Sequence, residues 1–347
     1  MSEALRIRIE GRAGRITLTR PRALNALTHA MVLAIDAALA EWADDPRIAV
    51  VVIDAEGERA FCAGGDLAEL YATGRRGDFD YGRRFWRDEY RMNARIARFP
   101  KPVQSFLHGY TMGGGVGLGC HASLRIVGES SRIAMPECGI GLVPDVGGSL
   151  LLARIEARHP GVGAWIGATG LRLDHAAALM GFADRFQPEA AWPALKAEIA
   201  ETGAPALREA AAPEPAEPAI GAGDLAAMGA HFRAGTPAMI RESLAADDRP
   251  AARAALAALD RASPLSVACH LEMLRRTDPQ AGIEAALALE YRFVSRCMEH
   301  GDFLEGIRAQ IIDKDRNPRW RHRSLAEVTP AEVEAMLAPL GDGELAL

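Results

Sequence analysis

The run IAVVVIDA at residues 48–55 is almost entirely apolar and rich in β-branched side chains. A strand of this kind is typical of the interior of a parallel sheet whose two faces are both covered. The runs PVQSFLHG at 102–109 and SLRIVG at 123–128 have the same character, and helical patterns lie between them. These patterns predict an α/β fold with alternating strands and helices for the first half of the chain.

The N-terminal segment predicts a hairpin followed by a helix. Residues 5–20 alternate apolar and polar positions around a turn that contains glycine, as in a β-hairpin with one buried face. Thr28 is a residue type that caps helices, and the DDP sequence at 44–46 marks the end of the predicted helix. The apolar positions of this helix recur at helical spacing: Met31, Ile35, Leu39 and Trp42.

The second half of the chain changes character after about residue 160. Strand signals give way there to Ala, Leu, Arg and Glu at helical spacing. We therefore predict a core at residues 1–200 and a helical C-terminal region at 201–347 that packs on it. Residues 203–224 hold several prolines among alanines and acids, which indicates a loose connection. The clearest amphipathic runs of the C-terminal region are at 263–275 and 281–300.

Composition argues against several classes of protein. The net charge is −6 and the basic residues form no block, so the chain lacks the positive surface of a nucleic-acid binder. Its five cysteines form no CxxC pair, which argues against a disulfide framework or a zinc site. The sequence has no apolar signal-peptide run and no segment with the roughly 20 apolar residues of a membrane span. We expect a cytoplasmic protein without a metal.

Two glycine-rich stretches follow predicted strands and open predicted helices: FCAGGDL at 61–67 and TMGGGVGLG at 111–119. Glycine lets the backbone approach a ligand, and a helix start leaves N–H groups without intrahelical acceptors. Two such turns on neighbouring strands can direct one N–H each at a single oxygen, as an oxyanion hole does. Ordinary turn chemistry is the alternative. Neither stretch ends in the GK[ST] of a P-loop, and a GxGxxA match at 117–122 lies inside a predicted helix.

The stretch MPECGIGLVPDVGGS at 135–149 places two acids, Glu137 and Asp145, in an otherwise apolar loop. Glycines and a proline between them allow the loop to direct both carboxylates into one cavity. Acids there would act on the group that the two N–H donors hold. Structural roles are the alternatives, with Asp145 capping a helix that begins at Val146, and Glu137 capping a helix or pairing with an arginine.

Together these motifs resemble the crotonase superfamily, also called the enoyl-CoA hydratase/isomerase superfamily. The resemblance implies an α/β fold with a spiral core of ββα units and a coenzyme A (CoA) thioester as substrate. It also implies that the N–H groups of Gly65 and Gly114 form the oxyanion hole. The segment RPRALNAL at 20–27 is similar to the family's CoA-contacting turn. The CoA-binding positions implied by the resemblance are Arg22, Leu24, Ala63, Gly65, Asp66 and Leu67.

Within the superfamily the chain is most similar to the branch that hydrolyses 3-hydroxyisobutyryl-CoA in valine catabolism. The matching stretches include RDEYRMN, LEYRFVSRCM and GDFLEGIRAQIIDKDRNPRW, and the resemblance covers nearly the whole chain. It implies thioester hydrolysis without a separate cofactor, since CoA is part of the substrate, and it is compatible with a homo-oligomer. The implied catalytic residues are Glu137, Asp145, Gly65 and Gly114, and the substrate contacts are Glu89, Gly114, Glu137 and Asp145.

One position distinguishes this chain from the hydratases of the superfamily. Those enzymes typically carry a glutamate two residues after the GGG, where this chain has Gly117, and they usually have glycine in place of Asp145. Glu137 is then either a nucleophile that gives a mixed anhydride or a general base on water, and both alternatives stay open. The alternative functions are a hydratase, isomerase or dehalogenase that acts on another acyl-CoA, and a non-catalytic acyl-CoA binder.

Overall fold

A computed structural model describes residues 4–207 and 220–347, which form two compact units. Neither unit is one continuous stretch of chain, so the predicted boundary at residue 200 coincides with neither. Residues 66–87 and 135–171 group with the C-terminal helices, because their own helices and turns pack against them. The described residues of the first unit come from Met1–Gly65, Asp88–Ala134 and Arg172–Ala219. Those of the second come from Asp66–Arg87, Met135–Leu171 and Ile220–Leu347.

The first unit contains two sheets. The larger has the strand order β1-β2-β3-β5-β7-β9 and is parallel apart from the β1–β2 hairpin. Its strands are β1 (Leu5–Glu10), β2 (Ala13–Leu18), β3 (Val50–Ala55), β5 (Val103–Leu107), β7 (Leu124–Val127) and β9 (Arg185–Phe186). The smaller parallel sheet has the order β4-β6-β8, with β4 (Ala60–Cys62), β6 (Tyr110–Met112) and β8 (Arg132–Ala134). The predicted hairpin and parallel strands are therefore confirmed.

The described helices fall into two sets. Those with residues in the first unit are α1 (His29–Ala43), α3 (Phe79–Ala97), α4 (Gly114–Gly119), α7 (His175–Ala178) and α8 (Trp192–Thr202). The others are α2 (Leu67–Gly74), α5 (Gly148–Arg158), α6 (Val162–Thr169), α9 (Ala222–Phe232), α10 (Pro237–Ala245), α11 (Pro250–Leu259), α12 (Pro264–Arg276), α13 (Ile283–His300), α14 (Phe303–Ile307) and α15 (Pro330–Leu337). The Thr28 hydroxyl accepts a hydrogen bond from Met31 N, which confirms the predicted cap of α1.

Strand β3 is buried on both faces, as its β-branched sequence predicts. Val50 and Val52 lie in one apolar cluster with Phe106 of β5 and Trp192 of α8, whose ring centroids are 5.2 Å apart. Ile53, which points to the opposite face, is fully buried. Burial of each such side chain stabilises the fold by roughly 1.5–3 kcal/mol. This core fixes the larger sheet, whose strands β3 and β5 are each followed in the chain by a strand of the smaller sheet, β4 and β6, and the glycine-rich loops begin at the ends of β4 and β6.

The second unit is helical in its described part, in agreement with the predicted helical C-terminal region. Helix α12 begins where Ser263 caps it and Pro264 occupies its first turn, and α12 and α13 confirm the two amphipathic runs. Helices α6 and α12 approach closely at Gly167, where a Cβ would lie 2.3 Å from His270 Nε2. The second unit therefore depends on close helix packing across long sequence separations.

The second half of the chain differs from its predicted pattern at one short strand. Strand signals were expected to end near residue 160, but β9 pairs in parallel with β7, so that expectation is wrong. A strand of two residues is too short to show an alternating pattern. Of the predicted loose connection at 203–224, residues 208–219 lie outside the described part, and α9 already begins at Ala222. Across the described ranges, no helix has the length and apolar character needed to span a bilayer.

Candidate active site

One group of predicted site residues, which we call the amide half, lies in the first unit and consists of residues 62–65 and the start of α4, with Glu89 of α3. A Cβ placed on Gly114 would lie 3.3 Å from the backbone N of Gly65 and 2.6 Å from Glu89 Oε1. Gly114 is the first residue of α4, so helix geometry leaves its N–H without an intrahelical acceptor. The two predicted oxyanion-hole residues and the buried Glu89 carboxylate therefore come together in one unit.

The glycines of α4 are needed because the helix start lies directly against the preceding loop. A Cβ on Gly115 would lie 2.2 Å from the carbonyl oxygen of Cys62, which no real side chain could tolerate. Gly113, the residue before α4, has φ 50°, a left-handed conformation that favours glycine. The GGG sequence therefore serves close backbone approach, which the ordinary-turn alternative does not require. The oxyanion-hole role itself stays a prediction.

The predicted CoA-contacting turn is bound to the same loop. Ala63 N donates to Leu24 O at 3.0 Å, and Leu27 N donates to Gly64 O at 2.9 Å. Arg22 lies in a short 3₁₀ turn and is exposed to solvent. The structure thus brings Leu24 and Ala63, both predicted to bind CoA, next to each other. Their contact with CoA remains a prediction.

Asn25 is a residue of this turn that the sequence analysis missed. Its side-chain nitrogen donates to Glu56 O at 2.9 Å and to Ala60 O at 2.8 Å, and its oxygen accepts from Arg20 N at 2.8 Å. The side chain is completely buried and the residue has φ 55°, which asparagine tolerates better than most residues. Asn25 therefore fixes the turn to the start of β4. An asparagine between apolar residues in RPRALNAL was the available signal.

Asp66 and Leu67, the remaining predicted CoA contacts, belong to the second unit. Asp66 is the N-cap of α2, and its carboxylate accepts from Ala68 N at 3.4 Å. Leu67 is the first residue of that helix. A capping role explains the aspartate structurally, and its predicted contact with CoA is untested.

A second group of predicted site residues, which we call the acid half, lies in the loop 135–149 of the second unit. Glu137 opens a 3₁₀ turn that ends at Ile140, and both Glu137 and Asp145 are almost fully buried, at 4% and 3% exposure. Burial raises the pKa of the Cys138 thiol well above its ordinary value, and the charge of Glu137 raises it further. Buried carboxylates are costly, so their presence here requires a specific reason.

The C-terminal helices hold the acid half from outside the loop. Ser263 N, at the start of α12, donates to Cys138 O at 2.9 Å, and Ser263 Oγ donates to Asp302 Oδ2 at 2.6 Å. Gly141 has φ 76°, and a Cβ there would lie 2.5 Å from the carbonyl carbon of Asp302. The backbone beside Glu137 is therefore fixed by residues more than a hundred positions away in the sequence.

Neither acid occupies the helix-capping position that was the structural alternative for it. Helix α5 begins at Gly148 with Gly147 as its N-cap, so the alternative in which Asp145 caps a helix from Val146 is wrong. The Asp145 contact with this helix is instead made by its carbonyl oxygen, which accepts from Gly148 N at 2.7 Å. Pro136, and not Glu137, occupies the cap position of the 3₁₀ turn.

Glu290 of α13 is a second residue that the sequence analysis missed. Its Oε2 accepts from Gly147 N at 2.7 Å, and its Oε1 accepts from Ser149 N at 3.0 Å and from the Ser149 hydroxyl. The stretch LEYRFVSRCM, which contains Glu290, entered the sequence analysis only as part of the resemblance. No local pattern indicates a contact between residues 141 positions apart.

The cysteines are poorly suited to act as nucleophiles. All five cysteines are buried and free, and burial raises the pKa of Cys62, next to the glycine loop, to about 12. A thiol with such a pKa is a poor nucleophile at neutral pH. The described ranges contain no group of three or more His, Cys, Asp or Glu placed to hold a metal ion.

Known proteins share both the sequence and the architecture of this chain. The family model described as enoyl-CoA hydratase/isomerase matches residues 13–337. The chain belongs to this family. Among curated relatives, the mitochondrial 3-hydroxyisobutyryl-CoA hydrolase of Gallus gallus is 34% identical over 97% of this chain and 89% of its own length. The corresponding protein of Homo sapiens is 32% identical over 99% of this chain and 91% of its own length.

Solved structures of the enoyl-CoA hydratase/isomerase family confirm the predicted crotonase-like fold. A structure from Rhodobacter sphaeroides, named an enoyl-CoA hydratase, is 57% identical with a TM-score of 0.93, covering 99% of this chain and 100% of its own. A carnitinyl-CoA dehydratase from Mycobacterium thermoresistibile is 38% identical with a TM-score of 0.89, covering 99% of both chains. Both matches include the helical C-terminal region, because each covers 99% of this chain.

Proposed function

We propose that this family member hydrolyses a short-chain 3-hydroxyacyl-CoA thioester, with 3-hydroxyisobutyryl-CoA as substrate and 3-hydroxyisobutyrate and CoA as products. The observation that carries the proposal is the similarity to 3-hydroxyisobutyryl-CoA hydrolases, at 34% identity over 97% of the chain for the Gallus gallus protein. The loop with Glu137 and Asp145 adds support, because this pair of acids distinguishes the hydrolase branch from hydratases in the sequence. A role in valine catabolism follows from the substrate.

The proposed reaction begins with the thioester carbonyl oxygen bound by the N–H groups of Gly65 and Gly114. These donors stabilise the negative charge that forms when the carbonyl carbon is attacked, and one such donor contributes about 2.7–4 kcal/mol in comparable enzymes. The support in the structure is the approach of Gly114 to the Gly65 nitrogen within the amide half. The C–S bond then breaks, and CoA leaves as the thiol after taking up a proton.

Glu137 supplies the second function, either as the nucleophile or as the general base that removes a proton from water. As the nucleophile it displaces CoA and forms a mixed anhydride, which water then hydrolyses to the free acid and the Glu137 carboxylate; as the base it activates the water that displaces CoA directly. Asp145 binds the substrate hydroxyl or transfers the proton, and Glu89 lines the acyl pocket. The N-terminal turn with Arg22 and Leu24 contacts CoA, with Ala63, Asp66 and Leu67.

The proposal includes no cofactor apart from the CoA of the substrate. It also includes a cytoplasmic location, although the curated relatives are named as mitochondrial, and it leaves room for a homo-oligomer.

A second candidate function is hydration of an enoyl-CoA. The observation that favours it is the name of the Rhodobacter sphaeroides structure, an enoyl-CoA hydratase at 57% identity. Against it stands Gly117 inside α4, at the position where hydratases of the superfamily typically carry a second glutamate. An enzyme that lacks this residue lacks one of the two acids that share the added water.

A panel assay of acyl-CoA esters tests both candidates with one protein preparation. Thiol release is measured with 3-hydroxyisobutyryl-CoA, 3-hydroxypropionyl-CoA and acetyl-CoA, and hydration is followed as loss of the crotonyl-CoA double bond. We expect thiol release, with a preference of roughly 10- to 200-fold in kcat/KM for the ester with the extra methyl group. Hydration without thiol release would support the hydratase instead. Tight acyl-CoA binding by calorimetry without either reaction would indicate a binding protein.

A further inference from the structure

The fully buried carboxylate of Glu290 is committed to one short segment of the acid half. Gly147 N donates to one carboxylate oxygen at 2.7 Å, and Ser149 donates to the other through its N–H at 3.0 Å and through its hydroxyl. These donors lie at the start of α5, where Gly147 has no side chain with which to cap the helix. Glu290 therefore provides from α13 the acceptors that a capping side chain normally provides.

The segment that Glu290 holds has an unusual backbone. Val146 has φ 55° and Gly147 has φ 80°, so two consecutive residues after Asp145 are left-handed. A β-branched residue in this region is rare and persists only where its surroundings enforce it. The Asp145 carbonyl accepts from Gly148 N at 2.7 Å, which closes the turn on the other side. The hydrogen bond to Gly148 N and the hydrogen bonds to Glu290 together hold the backbone that follows Asp145.

We propose that Glu290 is a positioning residue, which fixes the direction of the Asp145 carboxylate through the backbone of residues 146–149 and does not contact the substrate. This inference rests on the proposed function, in which Asp145 binds the substrate hydroxyl or transfers a proton. It adds a specific task to α13, whose residue 290 nothing in the local sequence marks as functional.

The variant Glu290→Gln tests the proposal because it keeps the size of the side chain and replaces one acceptor oxygen with an NH2 group. That group cannot accept the hydrogen bond of either Gly147 or Ser149. The matched control is Glu299→Gln, on the same helix but exposed, where the carboxylate pairs with Arg83. We expect Glu290→Gln to stay folded by circular dichroism but to lower kcat for thiol release at least about tenfold, and the control to stay within about twofold.

A double-mutant cycle with Asp145→Asn separates positioning from a general structural effect. If Glu290 acts only through Asp145, the double variant is as slow as Asp145→Asn alone, within about twofold. Effects that multiply, or a kcat of Glu290→Gln within about twofold of wild type, would overturn the proposal. Should Glu290→Gln fail to fold, Ser149→Ala replaces it, because this variant removes only the hydrogen bond from the hydroxyl. We expect Ser149→Ala to lower kcat about two- to fivefold in the wild-type background and to cause no further loss in the Asp145→Asn background.

A crystal structure of Glu290→Gln gives a readout that does not depend on activity. The proposal expects residues 145–149 to adopt a different backbone path, and an unchanged loop would overturn it. If the wild-type protein releases no thiol from any ester, the proposed function fails, while this structure still decides whether Glu290 positions the loop. The two failures are therefore distinguishable.

Discussion

The amide half and the acid half are built by different means. In the amide half, glycines allow the backbone at Gly114 to approach Gly65, and the proposed functional groups are N–H groups of the main chain. In the acid half the proposed functional groups are side-chain carboxylates, almost fully buried, on a loop that residues from other elements of its unit hold in place. Main-chain donors require space, whereas buried acids require partners.

This difference explains what the C-terminal helices contribute. Ser263 and Asp302 fix the turn that carries Glu137, and Glu290 fixes the segment that follows Asp145. The hydrogen bonds described for the amide half involve none of these three residues. The helical C-terminal region is therefore a support for the acids, and a change there is expected to alter the acid half while leaving the amide half intact.

The largest effect is expected from Glu137→Gln, which removes the acid half's reactive group while keeping its size. We expect thiol release from 3-hydroxyisobutyryl-CoA to fall about a thousandfold in kcat, within the range of acid–base and nucleophilic catalysis. The measurement is steady-state thiol release with an unchanged circular dichroism spectrum as evidence of folding. Near-normal turnover would exclude the role proposed for Glu137 and would leave the amide half as the whole of the catalytic site.

A smaller effect is expected from Gly114→Ala, which tests the amide half. The new Cβ would lie 2.6 Å from Glu89 Oε1 and 3.3 Å from the Gly65 nitrogen, so the backbone must shift and the donors separate. We expect kcat to fall about a hundredfold, the usual result of losing an oxyanion-hole donor.

The matched control for Gly114→Ala is Gly139→Ala, in the acid half. A Cβ at Gly139 would have no atom within 4 Å. We expect its kcat to stay within about threefold of wild type, because open space and an ordinary backbone make the methyl harmless. Equal losses of kcat in both variants would mean that close packing around the glycine does not determine the effect of the added methyl group.

How much of each half could be predicted from the sequence follows from the same difference. The amide half could be predicted from the sequence, because FCAGGDL and TMGGGVGLG place glycines directly after strands. The close backbone approach at Gly114 agrees with that expectation. The helix cap at Thr28 and the buried strand β3 could likewise be predicted from local patterns. Local features of this kind need no knowledge of the rest of the fold.

The acid half could be predicted only in part. The two acids stood out in an apolar loop, but Asp145 also had the pattern of an N-cap, and α5 in fact begins at Gly148. Glu290, whose carboxylate accepts the hydrogen bonds at the start of α5, lies 141 positions from Ser149 in the sequence. Such a contact depends on tertiary packing, so neither spacing nor periodicity could reveal it. The two-residue strand β9 escaped prediction for the related reason that its pairing with β7 is its main determinant.

The last expected effect concerns stability, not activity, and distinguishes the halves by pH. Burial raises the pKa of Glu290 from 4.5 to about 8, and the nearby charge of Asp145 also raises it, against the opposing hydrogen bonds of Ser149 and Gly147. The folded protein therefore binds a proton that the unfolded chain has released. Stability from this group is fully present below the unfolded pKa and is lost as the pH rises through the folded pKa, by at most about 1.4 kcal/mol per pH unit.

Glu290→Gln cannot titrate, so its free energy of unfolding should decline less steeply than that of the wild type between the unfolded pKa of 4.5 and the folded pKa of about 8. Urea unfolding midpoints of both proteins across this range measure the difference in slope. Gly114→Ala, which changes only the amide half, should keep the wild-type slope whatever its activity, because it leaves the Glu290 carboxylate untouched. Parallel curves for wild type and Glu290→Gln would show that this buried carboxylate does not take up a proton on folding, and the acid half would then hold it as an anion through its three donors.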